Sequence, residues 1–169
     1  MALRTIVSIP DPVLRRKAKK VTVFDKDLLT LIDDMVETMR DAPGVGLAAP
    51  QVGLSMRLIV VEYGDDEDED APKKLYAVVN PEIVSASEEM VEGVEACLSI
   101  PRIMGEVERH DKIVVKGLNR FGKPVKYKLS GWFARVFQHE IDHLDGILFT
   151  DRATKAWRVQ EDEEIADTV

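Results

Sequence analysis

His139-Glu140-Ile141-Asp142-His143 sets two imidazoles four residues apart, with a carboxylate directly after the first. On an α-helix such positions share one face, with Cβ atoms about 5–6 Å apart, so both rings can hold one metal ion. Glu140 is rotated off that line. It is too far round to be the obvious third ligand, yet able to reach a metal-bound water. This is the H-E-x-x-H arrangement of metal-dependent hydrolases, in which the glutamate is the general base. Helices rich in Glu and His also produce it by chance, so the reading needs support from outside the helix.

A catalytic metal takes three protein ligands and keeps one position open. Cys97, the only thiol, is the best candidate for the third, in the loop-like segment Glu95-Ala96-Cys97-Leu98-Ser99-Ile100-Pro101. The competing role for a lone cysteine is a small buried hydrophobe. His110 is the rival ligand, although Arg109, Asp111 and Lys112 around it point to an exposed setting.

These groups need a scaffold. Thr5 to Ile9 reads as a short strand stopped by Pro10-Asp11-Pro12. Leu28, Leu31, Ile32, Met35 and Met39 recur at helical spacing and predict a helix from Asp27 to Arg40, capped by Asp25 or Asp27. Pro43 and Gly44 end it and open a Gly-rich loop to Gln51. Strands are predicted over Arg57–Tyr63 and Leu75–Val79, the second ended by Asn80-Pro81. A hairpin follows over Asp111–Leu118 and Lys123–Leu129. Ser130 or Gly131 starts the motif helix, which Asp145-Gly146 ends; Trp132, Phe133, Val136, Phe137 and Leu144 make it apolar and central. Strands joined by hairpins, with helices between, argue for an α+β fold. One domain over residues 1–169 is expected, its tail from about residue 152 short and frayed, with Arg152, Lys155, Trp157 and Arg158 as a basic, aromatic turn.

Net charge is −8, with six consecutive acids at Asp65–Asp70 and four at Glu161–Glu164. Acids so concentrated repel one another and read as solvated segments; the spacing is not that of an EF-hand calcium loop. An acidic chain is a poor partner for a phosphate backbone, so no direct nucleic-acid binding is expected. Arg15-Arg16-Lys17 with Lys19-Lys20 could still touch an anionic partner, or simply form an exposed turn. No apolar run approaches the ~20 residues of a membrane span, and Met1-Ala2-Leu3-Arg4 opens no secretory signal. A single cysteine makes no internal disulfide, which points to a reducing, cytoplasmic setting.

Three segments carry a resemblance: Gly44-Val45-Gly46-Leu47-Ala48-Ala49-Pro50-Gln51, Glu95-Ala96-Cys97-Leu98-Ser99, and Gln138-His139-Glu140-Ile141-Asp142-His143. In order and spacing they resemble the three motifs of peptide deformylases, and the similarity runs from about residue 4 to about residue 151. The resemblance implies that Cys97, His139 and His143 hold one divalent metal and that Glu140 shuttles the proton. Gln51 and the Leu98 backbone N–H would bind the formyl oxygen. Gly44 and Gly46, with Val45 and Ala96 nearby, would let an extended peptide approach closely. The implied substrate is the formyl-methionyl end of a new polypeptide. Its first side chain is expected in an apolar pocket beside Trp132 and Val136, with Phe137 left to the core. Ferrous iron is the implied metal; zinc, nickel or cobalt also suit mixed N/S ligation.

Ala96 departs from the pattern, which has Gly there: a positive φ would strain it, whereas an extended backbone would let its methyl merely narrow the substrate groove. The short acidic tail gives no support to a ribosome contact. Two rivals remain. A zinc endopeptidase shares H-E-x-x-H, but Cys97 and the Gly-rich loop count against it. A non-catalytic metal-binding protein would need neither Glu140 nor Gln51.

Overall fold

The computed structural model describes residues 2–64, 70 and 72–160. Helix α1 (Lys26–Asp41) begins where the Asp25 carboxylate accepts the Leu28 N–H at 3.0 Å. It ends where Ala42 and Gly44 donate back to the Thr38 and Met39 carbonyls. Its apolar stripe, Leu28, Leu31, Ile32, Met35 and Met39, packs as the spacing requires, against Leu47, Leu58, Val60 and Val79.

The strands are β1 (Gly46–Ala48), β2 (Leu58–Tyr63), β3 (Lys74–Ala86), β4 (Met90–Cys97), β5 (Ile100–His110), β6 (Lys112–Leu118), β7 (Pro124–Ser130) and β8 (Lys155–Arg158). They form two antiparallel sheets, ordered β1-β2-β3-β6-β7 and β4-β5-β8. Helix α2 (Gly131–Leu144) carries the motif, and the short α3 (Phe149–Arg152) follows it. The fold is α+β. One face of α2 buries Ala134, Val136, Phe137, Ile141 and Leu144 against the larger sheet, on Ile59, Val61, Val78 and Val115. Polar side chains of α2 bind the smaller sheet instead: His139, Arg135 and Asp142 all bond to β4 or β5. No helix among the described residues is long and apolar enough to cross a membrane.

Several expectations change. Thr5–Ile9 is not a strand; Val7 donates to the Gln51 carbonyl at 2.8 Å and Ile9 to that of Ser99 at 3.0 Å, so the segment bridges two elements without a ladder. The Gly-rich loop contains β1 and a 3₁₀ turn over Ala49–Val52. Strand β3 does not stop at Asn80-Pro81. Its register shifts there, which accommodates a residue without N–H, and Asn80 takes φ 52° while its side chain holds the Val21 N–H and C=O, each at 2.9 Å. Of the expected basic, aromatic turn, Lys155, Trp157 and Arg158 lie in strand β8, paired with β5, and Arg152 ends α3. The tail expected to fray from about residue 152 instead pairs with β5 over Lys155–Arg158, and its remainder after Gln160 lies outside the described residues, as do the acidic runs except for Asp70.

Strands β4 and β5 were not expected at all, and they matter most. Ala96 pairs with Met104 but Cys97 with Ile100, so Pro101, Arg102 and Ile103 bulge from β5, Arg102 with φ 64°.

Candidate active site

Cys97 ends β4, and Leu98-Ser99 form a two-residue turn into β5, so the thiol sits on a strand end and not in a loop. Its Sγ lies 3.4 Å from His143 Nε2, and the nearest ligand atoms of Cys97, His139 and His143 all fall within 4.8 Å of one another. All three residues are buried. His139 donates from Nδ1 to Glu95 at 2.8 Å, which fixes the ring, while its buried Nε2 makes no hydrogen bond. A thiol beside two imidazoles, each with a buried ring nitrogen that makes no hydrogen bond, is a donor set fitting a divalent metal with a fourth position open. His110 is elsewhere: its Nδ1 binds the Ser87 carbonyl at 2.7 Å, and Gln138 brackets its backbone from both sides.

Burial and the nearby Glu140 carboxylate push the Cys97 thiol up, although the N–H groups of Ser99 and Ile100 oppose this. Burial, His139 and Arg109 push the His143 imidazole down, toward the neutral form that a metal requires. Glu140 is fully buried and neither carboxylate oxygen makes a hydrogen bond. Burial, reinforced by the Glu95 charge, raises its carboxyl well above the ordinary range. A buried acid without fixed partners is free to take and return a proton.

Gln51 is also fully buried. Its Oε1 accepts the Ala48 N–H at 3.0 Å, which turns Nε2 toward Ser99 Oγ at 3.1 Å and Cys97 Sγ at 3.5 Å. Gly46 packs on the acid. A Cβ at that position would meet Glu140 Oε2 at 2.6 Å. Gly46→Ala is therefore expected to displace Glu140 and to lower by about 10²-fold the rate of any reaction that uses this acid, with metal binding unchanged. Elemental analysis beside a rate assay checks this; an unaltered rate would mean that Glu140 moves aside harmlessly. Gly44 instead donates to Met39 at 2.7 Å and closes α1, and the Val45 carbonyl takes the Glu62 N–H at 2.9 Å.

Ala96 is extended, and its methyl packs with Met104 and Val159 on the sheet face opposite Cys97. It does not strain the strand, because Ala96 is not among the described residues with positive φ. Val136 is wholly inside the core, and Trp132 packs on its edge beside Tyr63, with its indole N–H buried and unpartnered.

The sequence reading gave no role to the ion network behind Cys97, His139 and His143. Glu95 accepts from Arg109 at 2.9 and 2.8 Å, from Arg135 at 2.7 Å and from His139. Asp142 binds Arg109 at 2.6 Å and Arg152 at 2.7 and 3.0 Å. One available signal was spacing: Glu95 stands two before Cys97 on a strand and Asp142 three after His139 on a helix, so each shares its neighbour's face.

A sequence model of the family described as polypeptide deformylase matches residues 3–159. A peptide deformylase of Symbiobacterium thermophilum is 54% identical over 164 residues, 97% of this chain and 73% of that relative. Among solved structures, the Thermotoga maritima peptide deformylase has 45% identity and a TM-score of 0.83, covering 92% of this chain and all of its own. A class I type b peptide deformylase from Acinetobacter baumannii with Met-Ala-Ser bound has 39% identity and a TM-score of 0.83, covering 89% of this chain and 98% of its own.

Proposed function

The chain belongs to the peptide deformylase family, and on that premise we propose that it hydrolyses the formyl group from formyl-methionyl ends of new polypeptides, releasing formate and a free amine. The observation that carries this reading is the convergence of Cys97, His139 and His143 with Glu140 and Gln51 in one buried cluster. Cys97 Sγ and the Nε2 atoms of both histidines would hold one divalent cation. Ferrous iron is our choice by family resemblance, and a lone ligand thiol suits a reducing cytoplasm. When bound, the ion supplies Lewis acidity that lowers the pKa of a coordinated water.

The chain's own groups do the rest. Glu140 takes the water's proton and passes it to the leaving amine. Gln51 Nε2, aimed by the Ala48 bond, donates to the formyl oxygen as charge develops there, with the Leu98 N–H as second donor. Glu95 keeps the His139 ring oriented from behind. The Acinetobacter relative holds Met-Ala-Ser, a peptide with methionine first, which supports a methionyl substrate here. Trp132 and Val136 would border the pocket for that side chain. Formyl-Met peptides should then exceed formyl-Ala peptides in kcat/KM by well over tenfold, since each lost methylene costs roughly 1–3 kcal/mol. Equal values would remove the pocket from the reading.

The decisive experiment measures formate and new amino groups from formyl-Met-Ala-Ser, using protein loaded anaerobically with ferrous iron. One formate per new amine is expected. Metal-loaded protein that leaves this peptide intact but cuts an unformylated one would establish an endopeptidase instead. Cys97→Ser should weaken metal retention or shift metal preference, because a thiolate gives way to a poor neutral donor. Unchanged metal content with an unchanged absorption spectrum of the cobalt form would return Cys97 to the core.

A further inference from the structure

The basic segment after Asp11 has no part in that chemistry, yet it lines a cavity of about 730 Å³. Lys17 and Lys20 meet there with Arg57, the irregular stretch of β3 at Glu82, and Lys116 and Lys126 of β6 and β7. Lys116 and Lys126 are direct cross-strand partners. Like charges so placed repel one another, so an anion seated between them would relieve the hairpin. Lys17, Lys20, Lys116 and Lys126 form no ion pair with any described carboxylate. Arg57 is committed, to Asp145 at 3.0 Å and the Leu144 carbonyl at 2.9 Å. The acid Glu82 lies opposite Lys116 and offsets part of the charge.

We propose that this cavity docks a nucleic-acid phosphate backbone. The free cations are ammonium groups, point charges that suit phosphate, whereas the one guanidinium that could grip a carboxylate with two bonds is occupied. Pro81, Leu118, Pro124 and Val125 give the cavity an apolar lining without an aromatic ring, so bases find no stacking platform and binding reads no sequence. The net charge of −8 does not forbid this, because screening confines each charge to about 8–10 Å at ordinary salt. Within that distance four lysines outside ion pairs stand against one such acid of the lining, Glu82, since Asp145 is paired with Arg57.

The inference is independent of the deformylase reading and is tested by fluorescence anisotropy with a labelled single-stranded RNA of about twelve nucleotides. Four lysines on a single strand should weaken binding about 50-fold between about 50 and 200 mM salt. Lys116→Gln with Lys126→Gln should reduce that loss to about 7-fold, and DNA of the same sequence should bind alike. Lys26→Gln with Lys74→Gln, an equal charge change at exposed positions elsewhere, should leave the salt dependence unaltered. Circular dichroism verifies that the variants fold. The proposal is overturned by RNA that fails to bind at low salt, by equal loss in both double variants, or by a polyglutamate peptide that binds as tightly.

Discussion

Glu140→Gln is expected to lower the rate of formate release by about 10²–10⁴-fold, the range for lost general acid–base catalysis, while metal content and unfolding midpoint hold. The side chain supports nothing by hydrogen bonding, since both carboxylate oxygens are unpartnered, and glutamine fills nearly the same volume. Its amide cannot accept and return a proton at neutral pH. Burial already favours the neutral form of Glu140, so a neutral replacement adds no uncompensated charge. Elemental analysis beside a formate assay checks both halves. Metal lost in step with activity would make Glu140 a ligand or a structural group.

The second large effect falls on stability. Glu95→Ala should lower the unfolding free energy by about 3–5 kcal/mol, the scale for removing one partner of a buried ion pair. It leaves the guanidinium groups of Arg109 and Arg135 buried without their shared carboxylate, and His139 Nδ1 without its acceptor. Urea unfolding gives the number, and a loss under about 1 kcal/mol would show that water or Asp142 compensates. The pH dependence is a second readout. Burial alone would raise the Glu95 carboxyl, but Arg109 and His139 overcome it and hold the group well below the usual carboxylate range. Its stabilisation is therefore present above the pKa of an unfolded glutamate and fades as acid brings the folded group toward protonation. Wild-type stability should fall on acidification more steeply than that of Glu95→Ala.

The two long helices, unlike the short α3, were legible because their apolar residues keep a 3.6-residue period and their ends carry recognisable caps, Asp25 before α1 and Gly146 after α2. The convergence of Cys97, His139 and His143 was legible because the chemistry of a metal donor set restricts it to few residue types. Strands β4 and β5 were not, and the reason is physical. A half-buried strand announces itself by alternating apolar and polar residues, yet here the inward positions include Glu95 and Arg109, whose charges neutralise each other out of sight. Charged side chains at buried positions read as surface. The same camouflage made His110 look exposed among charged neighbours, when one of them, Arg109, is the buried partner of the site. The lysine cavity escaped notice for a complementary cause: Lys17 and Lys20 are far in sequence from Lys116 and Lys126, and only the sheet joins them.

The bulge in β5 makes the site depend on whether a number is odd or even. Ile100 and Met104 would share a face on a regular strand, but Ile100 packs beside Cys97 and Met104 beside Ala96, on opposite sides of the sheet. The residues Pro101, Arg102 and Ile103 make that inversion, and by it Ser99 and Ile100 fold back over the sulfur within reach of Gln51. Deleting Arg102 would leave Ile100 and Met104 three positions apart, where ordinary alternation alone sets them on opposite sides. That deletion removes the residue with φ 64° together with the odd step it makes, so Ser99 can keep its place beside Gln51. Deleting Pro101 or Ile103 while Arg102 keeps its turn would instead carry Ile100 to the wrong side. Length changes in this segment are thus filtered by parity before they are filtered by chemistry, and loss of Arg102 should be better tolerated than loss of either neighbour.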